Sequence, residues 1–299
     1  MTDPVEWASR GGVLAVQLTA AAGVRLAGRD TLAWGFNGIS PGPTLRVRPG
    51  DLLRIRLVNQ LDQATNLHTH GMHVSPQGHG DNPFVRVEPG MSFDYEIRVP
   101  ADHPPGTFWY HPHHHGRVAD QIFGGLVGAL LVDGGPALAP RERVLLVTDT
   151  SLDTSGHVVR VDAMSRMRGR EGAWVLVNGQ YHPVIGTTAG MVQRWRVING
   201  CTSRILALRL EGHQLTQVAL DGRFLPAPTV RDPVVLAPGN RADLLVPPTT
   251  PGTYSLLSDA YTRGSLMGGM MGGGSVTSSG VVLATVQVAG PAAASTPPP

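Results

Sequence analysis

Short stretches of alternating apolar and polar residues recur along the chain and predict β-strands. Clear examples are LLRIRLV at 52–58, FDYEIRV at 93–99 and QRWRVI at 193–198. Successive side chains of a strand point to opposite faces of the sheet, so this alternation indicates strands buried on one side. Turns rich in Gly and Pro separate the stretches, which is typical of an all-β sandwich. The segment GRVADQIFGG at 116–125 suggests a short helix.

The strand pattern occurs twice. The segment PTLRVRPGDLLRIRLVN at 43–59 aligns with PVIGTTAGMVQRWRVIN at 183–199, and further matches follow downstream at similar offsets. Internal repeats of this kind indicate two copies of one structural unit. We therefore predict two β-sandwich domains, at 1–136 and 137–290, followed by a linker or tail rich in Pro and Ala at 291–299.

Composition and charge exclude several classes of protein. The chain has 24 Lys and Arg against 22 Asp and Glu, a formal net charge of +2, which does not favour nucleic-acid binding. One cysteine, Cys201, cannot form an intrachain disulfide or a thiolate-rich zinc site. No apolar run reaches the ~18 residues of a membrane span. The first residues, MTDPVEWASRGG, lack the pattern of a secretory signal peptide, and the sequence leaves the compartment open.

The histidines are concentrated in two short motifs. Nine of the twelve lie between His68 and His115, mostly in NLHTHGMH and YHPHHHG. Residues i and i+2 of a strand share a face, so His68 and His70 point one way, as do His111 and His113. Two neighbouring strands would direct four imidazoles at one point. Such a ligand set suits copper, zinc, iron or nickel and is poor for magnesium or calcium.

The remaining histidines are expected to have structural or supporting roles. His114 alternates out of phase with the candidate ligands, and His115 lies beyond them, next to the turn at Gly116. The others occur in loops or as isolated residues: His73, His79, His103, His157, His182 and His213.

The two motifs resemble those of the multicopper oxidases, the laccase-like enzymes built from repeated cupredoxin β-sandwiches. LHTHG is similar to the first copper motif of the family, H-x-H-G, and WYHPHHHG to the second, [WF]-[YF]-H-x-H, in its bacterial form. The resemblance implies two tandem cupredoxin-like Greek-key sandwiches, the first two domains of a bacterial three-domain oxidase. It also implies that His68 binds the type 2 copper and that His70, His111 and His113 bind the type 3 pair. Asp81, in GHGDNPF, is the candidate for proton delivery.

The other half of the family's ligand set is absent from this sequence. Neither H-P-x-H-x-H nor H-C-H-x3-H occurs, and Cys201 has no histidine beside it, so we interpret it as a structural thiol rather than a type 1 ligand. At the repeat offset, His68 and His70 fall on Leu208 and Leu210, so the second sandwich is expected to act as a spacer without copper ligands. The missing ligands would come from a third cupredoxin domain, in the full-length chain or a partner chain. A homo-oligomer is possible but would not supply them.

Two further features bear on metal chemistry. SLMGGMMGGG places Met267, Met270 and Met271 in a glycine-rich segment, a possible weak copper site because thioethers suit cuprous copper. Zinc or another divalent metal can replace copper in an isolated chain, since imidazoles discriminate weakly among these ions.

These features suggest three candidate functions. The first is half of an oxygen-reducing copper oxidase that oxidises phenols, metal ions or another small reducing substrate. Alone, this chain is then expected to be inactive. The second is copper sequestration without turnover. The third, a zinc hydrolase, fits four strand-borne histidines poorly, because catalytic zinc keeps an open position and a nearby general base.

Overall fold

A computed structural model describes residues 1–263 and 276–290. These residues form two tandem β-sandwiches, as the sequence predicts. The strands of the first sandwich are β1 (Glu6–Ala8), β2 (Val13–Ala22), β3 (Arg25–Leu26), β4 (Arg29–Asp30), β5 (Trp34–Phe36), β6 (Gly42–Val47), β7 (Leu52–Asn59), β8 (His68–His70), β9 (Ser92–Arg98), β10 (Gly106–His111) and β11 (Gly128–Val132). The predicted short helix is confirmed as α1 (Val118–Phe123), between β10 and β11.

The first sandwich consists of two sheets that pack around one apolar core. One sheet has the strand order β1-β6-β11-β10-β8 and the other has β5-β2-β7-β9, while β3 and β4 form a small ribbon. Strand β7 shows the predicted alternation: Leu53, Ile55 and Leu57 are buried, while Arg54 and Arg56 are exposed. Alternate side chains of β7 therefore fill the core, and the others face solvent.

The second sandwich repeats the central strand order of the first and has additional strands at the sheet edges. Its strands are β12 (Arg141–Thr150), β13 (Trp174–Val177), β14 (Val184–Thr188), β15 (Gln193–Asn199), β16 (Leu206–Leu210), β17 (Leu215–Leu220), β18 (Arg223–Arg231), β19 (Val234–Leu236), β20 (Arg241–Val246), β21 (Gly252–Ser258), β22 (Tyr261–Arg263), β23 (Val276–Ser278) and β24 (Val281–Ala289). A second short helix, α2 (Ala163–Arg168), precedes β13 and is not predicted by the sequence analysis.

The sheet orders are β14-β24-β21-β16-β19 and β13-β12-β15-β20-β17-β18, with β22 and β23 as a separate ribbon. Strands β16 and β21 thus take the places of β8 and β10. Leu208 pairs with Ser258, as His68 pairs with His111. With His68 placed on Leu208, Ser258 occupies the position of His111. The sequence match of PPGTFWYH at 104–111 with TPGTYSLL at 250–257 would place His111 on Leu257 instead, one residue earlier, and neither Leu208 nor Ser258 is a histidine.

The two sandwiches pack against each other through a mixed interface. Its apolar part contains Trp109 and Leu131 from the first sandwich with Leu146 and Ile198 from the second. The last strand of the first sandwich ends at Val132 and the first strand of the second begins at Arg141. The boundary between 136 and 137 lies in this connection and stays a prediction.

In the polar part of the interface, one expectation from the alternating apolar and polar pattern is wrong. The pattern QRWRVI predicts that Arg194 and Arg196 of β15 face solvent, but every residue of β15 is buried. Both guanidinium groups meet the buried carboxylate of Asp243 on β20, with Arg194 Nε 3.1 Å from Asp243 Oδ2. Thr107 of β10 donates from its hydroxyl to Asp243 Oδ1 at 2.5 Å and accepts from Arg196 Nη1 at 3.0 Å. The first sandwich covers this face, so it is polar yet buried.

No helix among the described residues is long and apolar enough to cross a membrane.

Candidate metal centre

Strands β8 and β10 bring three predicted ligands to one point. They pair antiparallel, with His68 opposite His111 and His70 opposite Trp109. One ring nitrogen from each of His68, His70 and His111 lies within 4.8 Å of the other two. Among the described residues, this is the one group of three or more His, Cys, Asp or Glu side chains close enough to hold a metal ion.

His113 lies beside this group. It follows the end of β10, and its ring centroid is 5.2 Å from that of His68 and 6.1 Å from that of His111. Its backbone N–H donates to Asn66 Oδ1 at 2.6 Å, and Asn66 directly precedes Leu67 and the first motif. Asn66 therefore ties the two histidine motifs together. The side chain of His113 is exposed, which leaves it free to turn toward a metal ion.

Asp81 fixes the orientation of His68. His68 Nδ1 lies 3.1 and 3.0 Å from the two carboxylate oxygens, and Thr69 donates to the same carboxylate from its backbone N–H and its hydroxyl. Burial opposes ionisation, but the hydrogen bonds from His68 and Thr69 outweigh it and lower the pKa of Asp81. The ionised carboxylate holds the proton of His68 on Nδ1, so Nε2 is the lone-pair nitrogen available to a metal.

His111 has a comparable arrangement with a backbone carbonyl. Its Nδ1–H donates to Pro112 O at 2.9 Å, and its Nε2 faces His70 Nδ1 at 3.2 Å. Burial lowers the pKa of His111 well below its ordinary value, and nearby His68, His70 and His113 lower it further. Burial and the Arg241 guanidinium lower the pKa of His70 to about 4. Both imidazoles are therefore neutral near pH 7, the form that binds metals.

Trp109 forms one wall of the centre. Its ring centroid lies 4.2 Å from that of His111 and 5.1 Å from that of His70. The same side chain is buried in the apolar interface with the second sandwich. The motif pattern placed Trp109 next to the ligands but did not predict this packing, because it depends on a contact between the two sandwiches.

The second sandwich also contacts the centre from the turn before β20. A Cβ added at Gly239 would lie 3.0 Å from His70 Cε1, and one added at Gly71 would lie 2.4 Å from Arg241 Nη2. Gly71 also has a φ of +85°, which favours glycine. Arg241 donates from Nε to Thr107 O at 3.1 Å and from Nη1 to Gly239 O at 3.1 Å. The second sandwich is therefore not only a spacer, because it also closes one side of the histidine site.

The other singled-out residues lie elsewhere. Cys201 is buried in the core of the second sandwich, where its Sγ is 3.8 Å from Val147 O, in keeping with a structural thiol. His103 accepts a hydrogen bond from the backbone of His73. Met267, Met270 and Met271 lie outside the described residues, as does the segment 291–299.

Acidification is expected to destabilise the metal-free chain through His70. Its folded pKa of about 4 lies below the ordinary 6.5, so the unfolded chain takes up a proton first as the pH falls. The free energy of unfolding should therefore decrease between pH 6.5 and about 4. Urea unfolding at about pH 7 and about pH 5 measures this. His70→Gln should reduce the decrease and exposed His157→Gln should not; equal decreases in all three proteins would contradict the assignment.

Comparison with known proteins agrees with the geometry. A family model described as multicopper oxidase matches residues 19–136, and a second with the same description matches residues 142–270. The chain belongs to the multicopper oxidase family. The three convergent histidines lie within the first matched region.

The individual relatives of this multicopper oxidase chain are longer proteins, which it matches over only part of their length. The multicopper oxidase mco of Staphylococcus aureus is 30% identical over 220 residues, 71% of this chain and 48% of that protein. The cell division protein FtsP of Edwardsiella tarda is 31% identical over 252 residues, 81% of this chain and 52% of that protein. A multicopper oxidase from Campylobacter jejuni, described as a metallo-oxidase, superposes with a TM-score of 0.83 at 28% identity, covering 96% of this chain and 60% of that one. The chain thus spans about half the length of the curated relatives.

Proposed function

We propose that this chain is the copper-binding amino-terminal part of a laccase-like multicopper oxidase. The observation that carries the proposal is the convergence of ring nitrogens from His68, His70 and His111 within 4.8 Å, with no carboxylate among these three side chains. Neutral imidazoles in this number suit copper better than they suit magnesium or calcium. Copper bound there, once the cluster is complete, supplies the reduction of O2 to water.

Each ligand has an assigned place in this proposal. His68 would hold the type 2 copper, and His70, His111 and His113 the type 3 pair. Asp81 and the Pro112 carbonyl hold the proton on Nδ1 of His68 and His111, which directs the Nε2 lone pairs into the site. Trp109 and the turn at Gly239 pack closely beside His70.

A third cupredoxin domain, in the full-length chain or a partner chain, would supply the remaining ligands and the type 1 copper that takes electrons from the reducing substrate. The test is to purify the 299-residue chain, load it with copper and measure oxygen uptake with a phenol, alone and together with a cupredoxin domain that carries H-P-x-H-x-H and H-C-H-x3-H. We expect copper binding without blue colour or oxygen uptake from the chain alone, and oxygen uptake after the third domain is added. A blue, active chain on its own would overturn the proposal.

Copper sequestration without turnover is the alternative, because the three converging imidazoles belong to one chain and need no partner to hold an ion. Copper binding with no oxygen uptake in the presence of the third domain would favour it. The relatives named FtsP are cell division proteins, which makes cell division another candidate role for this chain. The histidine cluster favours a copper function instead.

Asp81→Asn is expected to weaken copper binding by about 10- to 100-fold, the usual effect of removing a partner that orients a ligand. The amide cannot accept from His68 and Thr69 as the ionised carboxylate does. Isothermal titration of the metal-free chain with copper measures the change, and exposed Asp102→Asn is the matched control. An affinity equal to that of the control would show that Asp81 does not orient His68.

Proton delivery by Asp81 is a separate part of the proposal. Asp81 is an ionisable group in direct contact with His68, so it can carry protons toward the site. In the complete oxidase, Asp81→Glu should retain more of the oxygen-reduction rate than Asp81→Asn, and Asp81→Asn should shift the pH profile. A reduced copper content with an unchanged profile would leave Asp81 as a positioning residue only.

A further inference from the structure

A cleft between the two sandwiches, on the side of helices α1 and α2, is lined by four arginines. It has a volume of about 510 Å³ and includes Arg117 and Asp120 from the first sandwich and Arg160, Arg166 and Arg170 from the second. Cavities of about 300–1,000 Å³ are typical of small-molecule sites. Nothing in the proposed copper chemistry uses these residues.

One arginine builds the cleft rather than binding a ligand. Arg170 donates from Nη1 to Asp120 Oδ1 at 2.8 Å, and its guanidinium carbon lies 3.6 Å from the centroid of the Phe123 ring. It also donates to the carbonyl of Val159. These contacts fix the segment around Arg160 against helix α1, so the cleft has a defined wall.

Two other arginines have no acidic partner among the described residues. Neither Arg117 nor Arg160 has a carboxylate within 4.0 Å in the part of the chain that the structure describes, whereas Asp120 is engaged by Arg170 and, at 4.0 Å, by Arg166. Asp62 is the second carboxylate of the lining. Four arginines against two aspartates leave an excess of two positive charges in the lining. The lining therefore favours an anionic ligand.

The rest of the lining is apolar in part. Trp34 and Val158 contribute to the same cleft. Trp34 is held in place against Gly124, where an added Cβ would lie 2.3 Å from the indole. A ligand that uses the whole cleft would combine an anionic group with an apolar or aromatic part.

We propose that the cleft between Arg117 and Arg160 binds a small organic phosphate, with the phosphate on the two unpaired guanidinium groups and the organic part against Trp34. Arginine binds phosphate through two parallel hydrogen bonds and keeps its charge at all working pH values. One guanidinium comes from each sandwich, so an occupant would bridge the two. The proposal does not depend on copper.

The test is isothermal titration of the metal-free 299-residue chain with phenyl phosphate, inorganic phosphate and phenol, in a low-salt buffer. We expect phenyl phosphate to bind with a dissociation constant below about 1 mM, more tightly than either fragment. The double variant Arg117→Gln/Arg160→Gln should weaken it by at least about tenfold. The control is Arg98→Gln, which removes one exposed arginine of strand β9 outside the cleft lining; its affinity for phenyl phosphate should be unchanged.

Three results would overturn the proposal. They are the absence of binding, equal affinity of the double variant and the wild-type chain, and equal affinity for phenyl phosphate and inorganic phosphate. The last would show an ion site without a place for an organic part. Because the double variant changes exposed side chains, its circular dichroism spectrum and unfolding midpoint should match those of the wild type. If the double variant does not fold, Arg160→Gln alone is measured, and it should also weaken the binding of phenyl phosphate.

Discussion

Replacing His111 by alanine is expected to weaken copper binding by more than about 100-fold, a larger loss than that caused by removing a group that only orients a ligand. His111 contributes one of the three ring nitrogens that lie within 4.8 Å of one another, and it is almost fully buried. Copper titration by calorimetry, with the copper content of the dialysed protein as a second readout, measures the loss.

The control for His111 comes from the same tract. His114→Ala removes an imidazole three residues further along, outside the convergent group, and should leave the copper affinity within about twofold. Since His111 is buried, His111→Gln is measured as well, because it fills more of the space while lacking the imidazole. Copper affinity that survives in both His111 variants would contradict the ligand assignment.

Replacing Asp243 by alanine is expected to lower the free energy of unfolding by about 3–5 kcal/mol, the usual cost of leaving a buried charge without its partner. The side chains of Arg194 and Arg196 are 3% and 5% exposed, and both meet the Asp243 carboxylate, which is 1% exposed. Without it, two guanidinium groups stay buried beside Thr107 with only Glu142 as an acidic partner. Urea unfolding at about pH 7 measures the change.

A surface ion pair provides the comparison. Arg56 and Asp94 pair across strands β7 and β9, and both side chains are more than half exposed. Asp94→Ala should therefore cost less than about 1 kcal/mol. If Asp243→Ala cost no more than Asp94→Ala, the buried ion pairs of Asp243 would not stabilise the fold as described.

The sequence predicted the sandwiches and the convergence of the histidines because both follow from local periodicity. The i, i+2 spacing of His68 and His70 determines their common face, and the repeat shows that one topology is used twice. The residue-by-residue pairing of His68 with His111 could not be derived from the motifs, since the register of two strands depends on the turns between them.

The contacts that the sequence did not predict all join distant parts of the chain. The alternating pattern of β15 predicts that Arg194 and Arg196 face solvent, because it does not show that another sandwich covers them. The same holds for Gly239 and Arg241, which reach the histidine site from the second sandwich. Asn66 lies one residue before the first motif segment LHTHG, but its bond to the backbone of His113 depends on the fold.

In the proposed function, imidazoles of the two motifs in this chain hold copper. Pulsed electron paramagnetic resonance of the chain loaded with one equivalent of Cu(II) tests it most directly, because the spectrum reports coordinated imidazole nitrogens. We expect signals from at least three imidazoles, no blue absorption, and loss of these signals in the variant with alanine at positions 68, 70, 111 and 113. Signals that persist in that variant, or copper bound through oxygen ligands alone, would contradict it.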